Sequence, residues 1–234
     1  MMGSAAGTAA AFSGGKTELS ADELETVRRI LAGDSPGILP TGATMARPGA
    51  GIRDDRAPGA PDPVRAAVLV PLIGRPEGTT VLLTRRTDSL STHAGQVSFP
   101  GGRMDAGDRD EEFTALRETQ EEIGLDPSHI ELLGRLDTYV TRTGFSVTPV
   151  VGHVRPPFDL RPNPQEVDAV FEVPLAFLLD PANRALEKRL FEGVERLFYA
   201  YRWQHYYIWG ATAGMLVNLV DLMGRWVANG QTQR

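Results

Sequence analysis

The run Ala66-Ala67-Val68-Leu69-Val70-Pro71-Leu72-Ile73 contains no charged or hydrogen-bonding side chain. An apolar stretch this short, bounded by turn residues, reads as a buried strand. Gly74-Arg75-Pro76-Glu77-Gly78 follows as a turn, and Thr80-Val81-Leu82-Leu83-Thr84 reads as a second strand. The two are expected to pair as a hairpin. Residues 110–124 are the best helix candidate. Phe113, Leu116 and Ile123 supply its apolar positions, and Gly124 can end it. Further strands are expected at 129–140, 145–154, 168–173 and 196–208, with a short helix at 174–180 and a longer one at 210–227. This order lacks regular βαβ alternation. It therefore argues for an α/β fold with a mixed sheet covered by helices rather than a doubly wound parallel sheet. No internal repeat is present.

A length of 234 residues suits one domain with extensions, or at most two small ones. Residues 1–19 read as a flexible tail. Ser20-Ala21-Asp22-Glu23 has capping-box spacing, and Leu24, Val27, Ile30 and Leu31 then share one face of a short helix. Residues 33–63 are rich in Gly and Pro and read as an irregular linker. The expected organisation is a tail (1–19), a helix and linker (20–62), the main domain (63–228) and a second tail (229–234).

The formal charge of −6 gives no broad attraction for nucleic acid or an anionic membrane, so neither is expected as a partner. The chain has no cysteine, which excludes disulfides, zinc–thiolate sites and a cysteine nucleophile. The start lacks the basic and apolar stretches of a secretory signal. The apolar segment Ile208–Leu222 is broken by Asn218 and Asp221 and reads as a core helix rather than a membrane span. These features fit a cytoplasmic location.

The chemistry is concentrated in Arg117-Glu118-Thr119-Gln120-Glu121-Glu122-Ile123-Gly124-Leu125. On a helix Glu118 and Glu122 are i and i+4, and Glu121 joins them at i+3. Three like charges on one face destabilise a bare helix by roughly a few tenths of a kcal/mol per pair. They also lie near the C-terminal end, where the helix dipole disfavours anions. Such a penalty points to an external cation, and hard oxygen donors suit Mg²⁺ or Mn²⁺. Arg117 is placed to clamp Glu121. Upstream, Phe99-Pro100-Gly101-Gly102 allows a tight turn and close backbone approach, so a carbonyl there could complete a metal shell.

Together these segments resemble the Nudix box. Gly102, Arg117, Glu118, Glu121, Glu122, Gly124 and Leu125 match its pattern. The middle departs from it. The family usually carries Glu eight residues before the Arg, where this chain has Arg109, with Asp108 one residue further back. The run from Leu82-Leu83-Thr84-Arg85-Arg86-Thr87 through Leu90, His93 and Gly95-Gln96-Val97-Ser98-Phe99-Pro100-Gly101-Gly102 is similar to the branch that contains coenzyme A pyrophosphatases. Asp105, Asp108 and Thr114–Glu118 continue that likeness.

The resemblance implies an α/β/α sandwich, with the glutamate helix on one side of a mixed sheet and the C-terminal helix on the other. It implies Glu118 and Glu122 as principal ligands of Mg²⁺ or Mn²⁺, Glu121 as a third ligand or bridge, and a contribution from the Gly101 carbonyl. Arg117 positions the cluster. The general base is one of the box glutamates or Glu166, in a loop beyond the box. Arg85 and Arg86 suit phosphate, but on a strand they face opposite ways, so one of them is expected at the substrate. His93 is the third candidate substrate contact. Gln96 and Ser98 are expected to brace the loop, and Tyr206, Tyr207 and Trp209 to pack in the core rather than stack on adenine.

The implied reaction is hydrolysis of a small nucleotide-diphosphate substrate. Coenzyme A or acyl-CoA would give 3′,5′-ADP and a 4′-phosphopantetheine species. ADP-ribose, a dinucleotide or a nucleoside triphosphate is the alternative, and a non-catalytic nucleotide-sensing module is a third reading. A homodimer is compatible with all three.

Overall fold

The computed structural model describes residues 21–32, 62–88, 94–141, 143–191 and 194–231. Strands β1 (Val64–Arg75) and β2 (Gly78–Arg86) form an antiparallel hairpin in which Leu72 faces Val81. Short strands β3 (Val97–Ser98) and β4 (Gly101–Arg103) pair with β2 and β1. Strand β7 (Phe145–Val154) runs parallel to β1 from the Val64–Phe145 pair to the Ile73–Val154 pair. The remaining ladders are antiparallel: β5 (Ile130–Arg135) and β6 (Tyr139–Val140) on β7, and β8 (Val167–Pro174) on β2. The sheet is therefore mixed. A second, three-stranded antiparallel sheet contains β9 (Arg184–Phe191), β10 (Val194–Trp203) and β11 (Tyr206–Trp209).

Strand β1 shows why the large sheet needs cover on both faces. Ala66, Val70 and Leu72 pack with helices α1 (Ala21–Ala32) and α4 (Gly210–Gln231), through Val27, Ile30, Leu216 and Leu219. The alternate residues Ala67, Leu69 and Ile73 pack toward helix α2 (Glu111–Ile123), against Ala115 and Ile123. The apolar run thus serves two layers through the two-residue period of a strand. Leu69, Leu72, Ile73, Leu82 and Leu83 are fully buried, each contributing roughly 2 kcal/mol of burial free energy. The outcome is an α/β/α sandwich. Among the described residues, no helix is long and apolar enough to cross a membrane.

Helix α1 is fixed by charge as well as by packing. Arg28 pairs with Glu131, which also accepts from Arg155 Nη2 at 2.5 Å. The two guanidinium groups hold the Glu131 carboxyl below its ordinary range. Ser20 and residues 33–61, the expected cap and most of the linker, lie outside the described residues, as does the tail 1–19.

Four element readings need correction. The expected strand 129–140 is split into β5 and β6, with a register shift between Leu132 and Gly134. The expected strand 196–208 is a hairpin that turns at Gln204-His205, with Gln204 at φ 53°. Strand β9 was not anticipated. The C-terminal helix runs to Gln231, into the expected second tail. The short helix α3 (Leu175–Leu179) lies within the expected 174–180.

Candidate active site

Helix α2 begins at Asp110, whose side chain accepts from the Phe113 amide at 2.8 Å, and ends at Gly124, with φ 70°. An asparagine or glycine is favoured in that left-handed position, and the Gly124 amide closes onto the Gln120 carbonyl. Arg161 packs so tightly there that a Cβ on Gly124 would lie 2.9 Å from the Arg161 Cβ. The helix end is therefore built for contact with the loop 161–167.

Glu122 lies on the buried face of α2 and is only 3% exposed. Its Oε2 accepts from the Gly101 amide at 3.1 Å, and its Oε1 stands 3.5 Å from Arg86 Nη1. Burial pushes the Glu122 carboxyl up to about 7. The Gly101 amide and Arg86 pull it down, whereas the charges of Glu166 and Glu118 push it further up. Glu118 is half-buried one turn earlier, and burial raises its carboxyl too. Arg117 opposes that rise, while Glu121 and Glu166 add to it. The Glu118 carboxylate rests directly on Gly102, where a Cβ would come within 2.4 Å of Oε2. The second glycine of the turn is thus required for space.

Arg117 is the clamp of the helix. Its Nε and Nη2 donate to the two oxygens of Asp108 at 3.0 and 2.8 Å, and its Nη1 donates to Glu118 at 2.9 Å and to Glu121 at 3.1 Å. Asp108 also accepts from Thr114 Oγ1 and the Asp105 amide, both at 2.9 Å. These donors, Arg117 first, hold the Asp108 carboxyl well below the usual carboxylate range and hold Arg117 firmly protonated. Asp108 therefore supplies the carboxylate that Arg109 lacks. Arg109 itself lies on the surface, 3.4 Å from Asp110 and over the Phe113 ring.

Glu121 does not join Glu118 and Glu122. Its side chain is 58% exposed and is drawn to Arg117. Among the described residues, no three acidic or histidine side chains converge as a ready-made cation cage. At Gly101 it is the amide that meets Glu122. The third acid directed at the pair is Glu166, whose charge acts on both Glu118 and Glu122. Its loop is stitched to the end of α2 by Arg161 N to Ile123 O (2.7 Å) and Asn163 N to Glu122 O (2.8 Å). It is joined to the end of β2 by Thr87 N to Glu166 O (2.9 Å). Asn163 Nδ2 also donates to Glu166 Oε1 at 3.2 Å. Asp108 and Asn163 were not among the site residues read from the sequence. Asp108 was visible as an offset acid in the box, whereas the role of Asn163 depends on how the loop folds back.

The two strand-end arginines diverge. Arg85 Nε donates to Asp168 at 2.8 Å on the surface. Arg86 faces Glu122, and its buried Nε has no hydrogen-bond partner among the described residues. The β2–β8 ladder shifts register between the two. His93 lies outside the described residues. Ser98 Oγ lies 3.2 Å from Thr84 Oγ1, and Tyr206 stacks on Phe171 at 3.6 Å between ring centres.

A divalent cation fits this donor set. Glu118 and Glu122 offer hard oxygens one turn apart, both raised by burial, with Arg117 on Glu118 and Arg86 nearest Glu122.

The NUDIX domain model matches residues 63–193. In Arabidopsis thaliana, "Nudix hydrolase 15, mitochondrial" is 41% identical over 167 residues, covering 68% of this chain and 59% of that protein. "Nudix hydrolase 22, chloroplastic" is 38% identical over 180 residues, covering 74% and 60%. The chain thus spans about three fifths of the length of these plant relatives. The Nudix hydrolase NudL of Cronobacter sakazakii is 42% identical over 161 residues, covering 68% of this chain and 83% of that protein. The domain match takes in more than half of the chain, including α2 and the loop that reaches Glu122, so the chain belongs to the Nudix family.

Proposed function

We propose that the protein hydrolyses the diphosphate bond of coenzyme A or acyl-CoA, releasing 3′,5′-ADP and a 4′-phosphopantetheine species. The observation that carries the hydrolytic reading is the buried Glu122 carboxylate, held at the glycine turn beside Glu118 and under the charge of Glu166. The coenzyme A reading rests on the run from Leu82 to Gly102 and its likeness to that branch.

Glu118 and Glu122 would hold Mg²⁺ or Mn²⁺; Glu121 would have to leave Arg117 to become a further donor, and the Gly101 carbonyl would have to turn toward the ion. Such an ion supplies charge neutralisation at the diphosphate and a more acidic bound water. Arg86 binds a phosphate oxygen through the part of its guanidinium left open beside Glu122, its side chain being 25% exposed, since a guanidinium matches phosphate geometry. Glu166, oriented by Asn163, accepts the proton of the water that attacks phosphorus. Arg117 keeps Glu118 in place through Asp108. Arg85 is committed to Asp168 and stays outside this scheme.

The test is a hydrolysis screen with Mg²⁺ or Mn²⁺ against coenzyme A, acyl-CoA, ADP-ribose, dinucleotides and nucleoside triphosphates, with products identified by mass. Cleavage of coenzyme A to 3′,5′-ADP is expected, and a run in ¹⁸O water locates the attacked phosphorus. Turnover of ADP-ribose with none of coenzyme A would replace the substrate but keep the hydrolase. Binding without turnover of any substrate would leave a nucleotide-sensing module.

A further inference from the structure

Four of the five large apolar side chains that stand exposed among the described residues belong to the small sheet: Leu190 (73%), Leu186 (49%), Leu197 (37%) and Tyr207 (37%). The three leucines share one face. Leu186 and Leu190 alternate along β9, and Leu197 on β10 sits opposite Lys188. Strand β9 is the last strand of its sheet, and among the described residues it pairs only with β10. An edge strand with free backbone groups and a leucine stripe is a template for another strand.

We infer that the edge of β9 pairs with β9 of a second copy of this chain, in an antiparallel register centred on Lys188. The sequence of the strand selects both the occupant and the register. A two-fold axis normal to the sheet keeps every residue on its own face, so residue i can oppose only residues an even number of positions away. Centring on Lys188 places Leu186 opposite Leu190 of the second copy and Glu187 opposite Arg189, each pair occurring twice. Centring on Glu187 would set that glutamate against itself, and centring on Arg189 would do the same to the arginine. Either shift also puts a leucine against Lys188. Like charges directly opposite destabilise a ladder, while apolar and opposite-charge pairs support it. Lys188 meets its own copy at the axis, a like-charge contact that its ion pair with Glu195, at 2.8 Å, offsets in part; of the three registers only this one sets leucine against leucine and Glu187 against Arg189.

The two faces remain compatible across the junction. On one, the two Leu186–Leu190 pairs flank the two Lys188 side chains at the axis, with Leu197 of each copy beside its own lysine. On the other, Glu187 accepts from Arg202 and Tyr207, both at 2.6 Å, and Arg189 lies over the Trp209 ring. A junction of this length is small for a protein interface, so the dimer is expected to dissociate on dilution.

The experiment uses the full chain. Sedimentation and light scattering across a dilution series should show a monomer–dimer equilibrium. Glu187→Arg and Arg189→Glu should each weaken the dimer about tenfold or more, because two attractive pairs become repulsive. An equimolar mixture of the two variants should recover a heterodimer. Since the chain has no cysteine, Lys188→Cys should form a disulfide-linked dimer on mild oxidation. Leu186→Cys alone should not, because its copies lie about 13 Å apart along the strand in this register. Leu186→Cys mixed with Leu190→Cys should cross-link. A single cooperative thermal unfolding transition in each reduced variant shows that it is folded, with a lower midpoint expected for Glu187→Arg, which loses the Arg202 and Tyr207 bonds. A monomer at every concentration, with the leucines exposed or covered by another part of the chain, overturns the proposal. So does a dimer in which position 188 fails to cross-link or position 186 links to itself.

Discussion

Replacing Glu122 by Gln should make the metal-free protein more stable at pH 8 while abolishing turnover. The carboxyl is 3% exposed, and its proton affinity rises from an ordinary 4.5 to about 7, chiefly through burial. At about 1.4 kcal/mol for each tenfold change in proton affinity, ionising it inside the fold costs about 3 kcal/mol. Gln keeps an acceptor for the Gly101 amide but turns an amide group toward Arg86, which returns about 1 kcal/mol of that gain. The net expectation is about 2 kcal/mol, or about 4–8 °C in the unfolding midpoint for a chain of this size.

The pH dependence has a definite sign. Below 4.5 both folded and unfolded chains hold the Glu122 proton, and the carboxyl imposes no charge penalty. Between 4.5 and about 7 the folded chain keeps the proton that the unfolded chain has lost, so wild-type stability falls as the pH rises. Above about 7 the whole penalty is present. The advantage of the Gln variant should therefore shrink as the pH is lowered through that window. Thermal or urea unfolding in chelator at a series of pH values measures it. Added Mg²⁺ should stabilise the wild type and leave the variant almost unchanged. A Gln variant that is less stable than the wild type at pH 8 in chelator would refute the reasoning, because the buried carboxylate would then be a net support of the fold.

Gly102→Ala should move Glu118 and lower turnover with little loss of stability, since the atoms nearest its Cβ belong to a side-chain carboxylate that can shift. Gly101→Ala should instead destabilise the fold by about 2 kcal/mol or more, because φ is 151° and its Cβ would lie 2.4 Å from the Ala67 carbonyl oxygen. Unfolding curves beside kcat separate the two. Glu166→Gln should lower kcat by about 10²–10⁴-fold with an unchanged unfolding midpoint, if it is the base. Arg86→Ala should raise KM by about tenfold or more, the worth of a charge-assisted hydrogen bond. Arg85→Ala should leave KM within about twofold, because that guanidinium serves Asp168. Steady-state kinetics with the substrate found in the screen reads all three.

The large sheet was legible because β1 holds the unbroken apolar run 66–73 and β2 the run Val81-Leu82-Leu83, with glycine and proline between them, and helix α2 because Phe113, Leu116 and Ile123 supply its apolar positions and Gly124 ends it. Strand β9 was hidden. Arg184-Ala185-Leu186-Glu187-Lys188-Arg189-Leu190 spaces its leucines four apart with three consecutive charged residues between them, a pattern with no strand signature of its own. The hairpin between β10 and β11 turns at Gln204-His205, where neither glycine nor proline announces it. The pairing of Glu118 and Glu122 followed from helical spacing. The diversion of Glu121 did not, because it depends on Arg117 having been fixed by Asp108 from outside the helix. The separation of Arg85 from Arg86 follows from strand alternation, but which of them faces the acids depends on the β8 ladder and on where α2 packs.

The central claim is that one divalent cation binds between Glu118 and Glu122. Anomalous diffraction from a crystal soaked in Mn²⁺ tests it most directly. A peak within bonding distance of an oxygen of each carboxylate is expected in the wild type, with its loss in Glu122→Gln. A wild-type map with no peak beside these two glutamates, or with manganese bound only elsewhere on the molecule, would contradict the account.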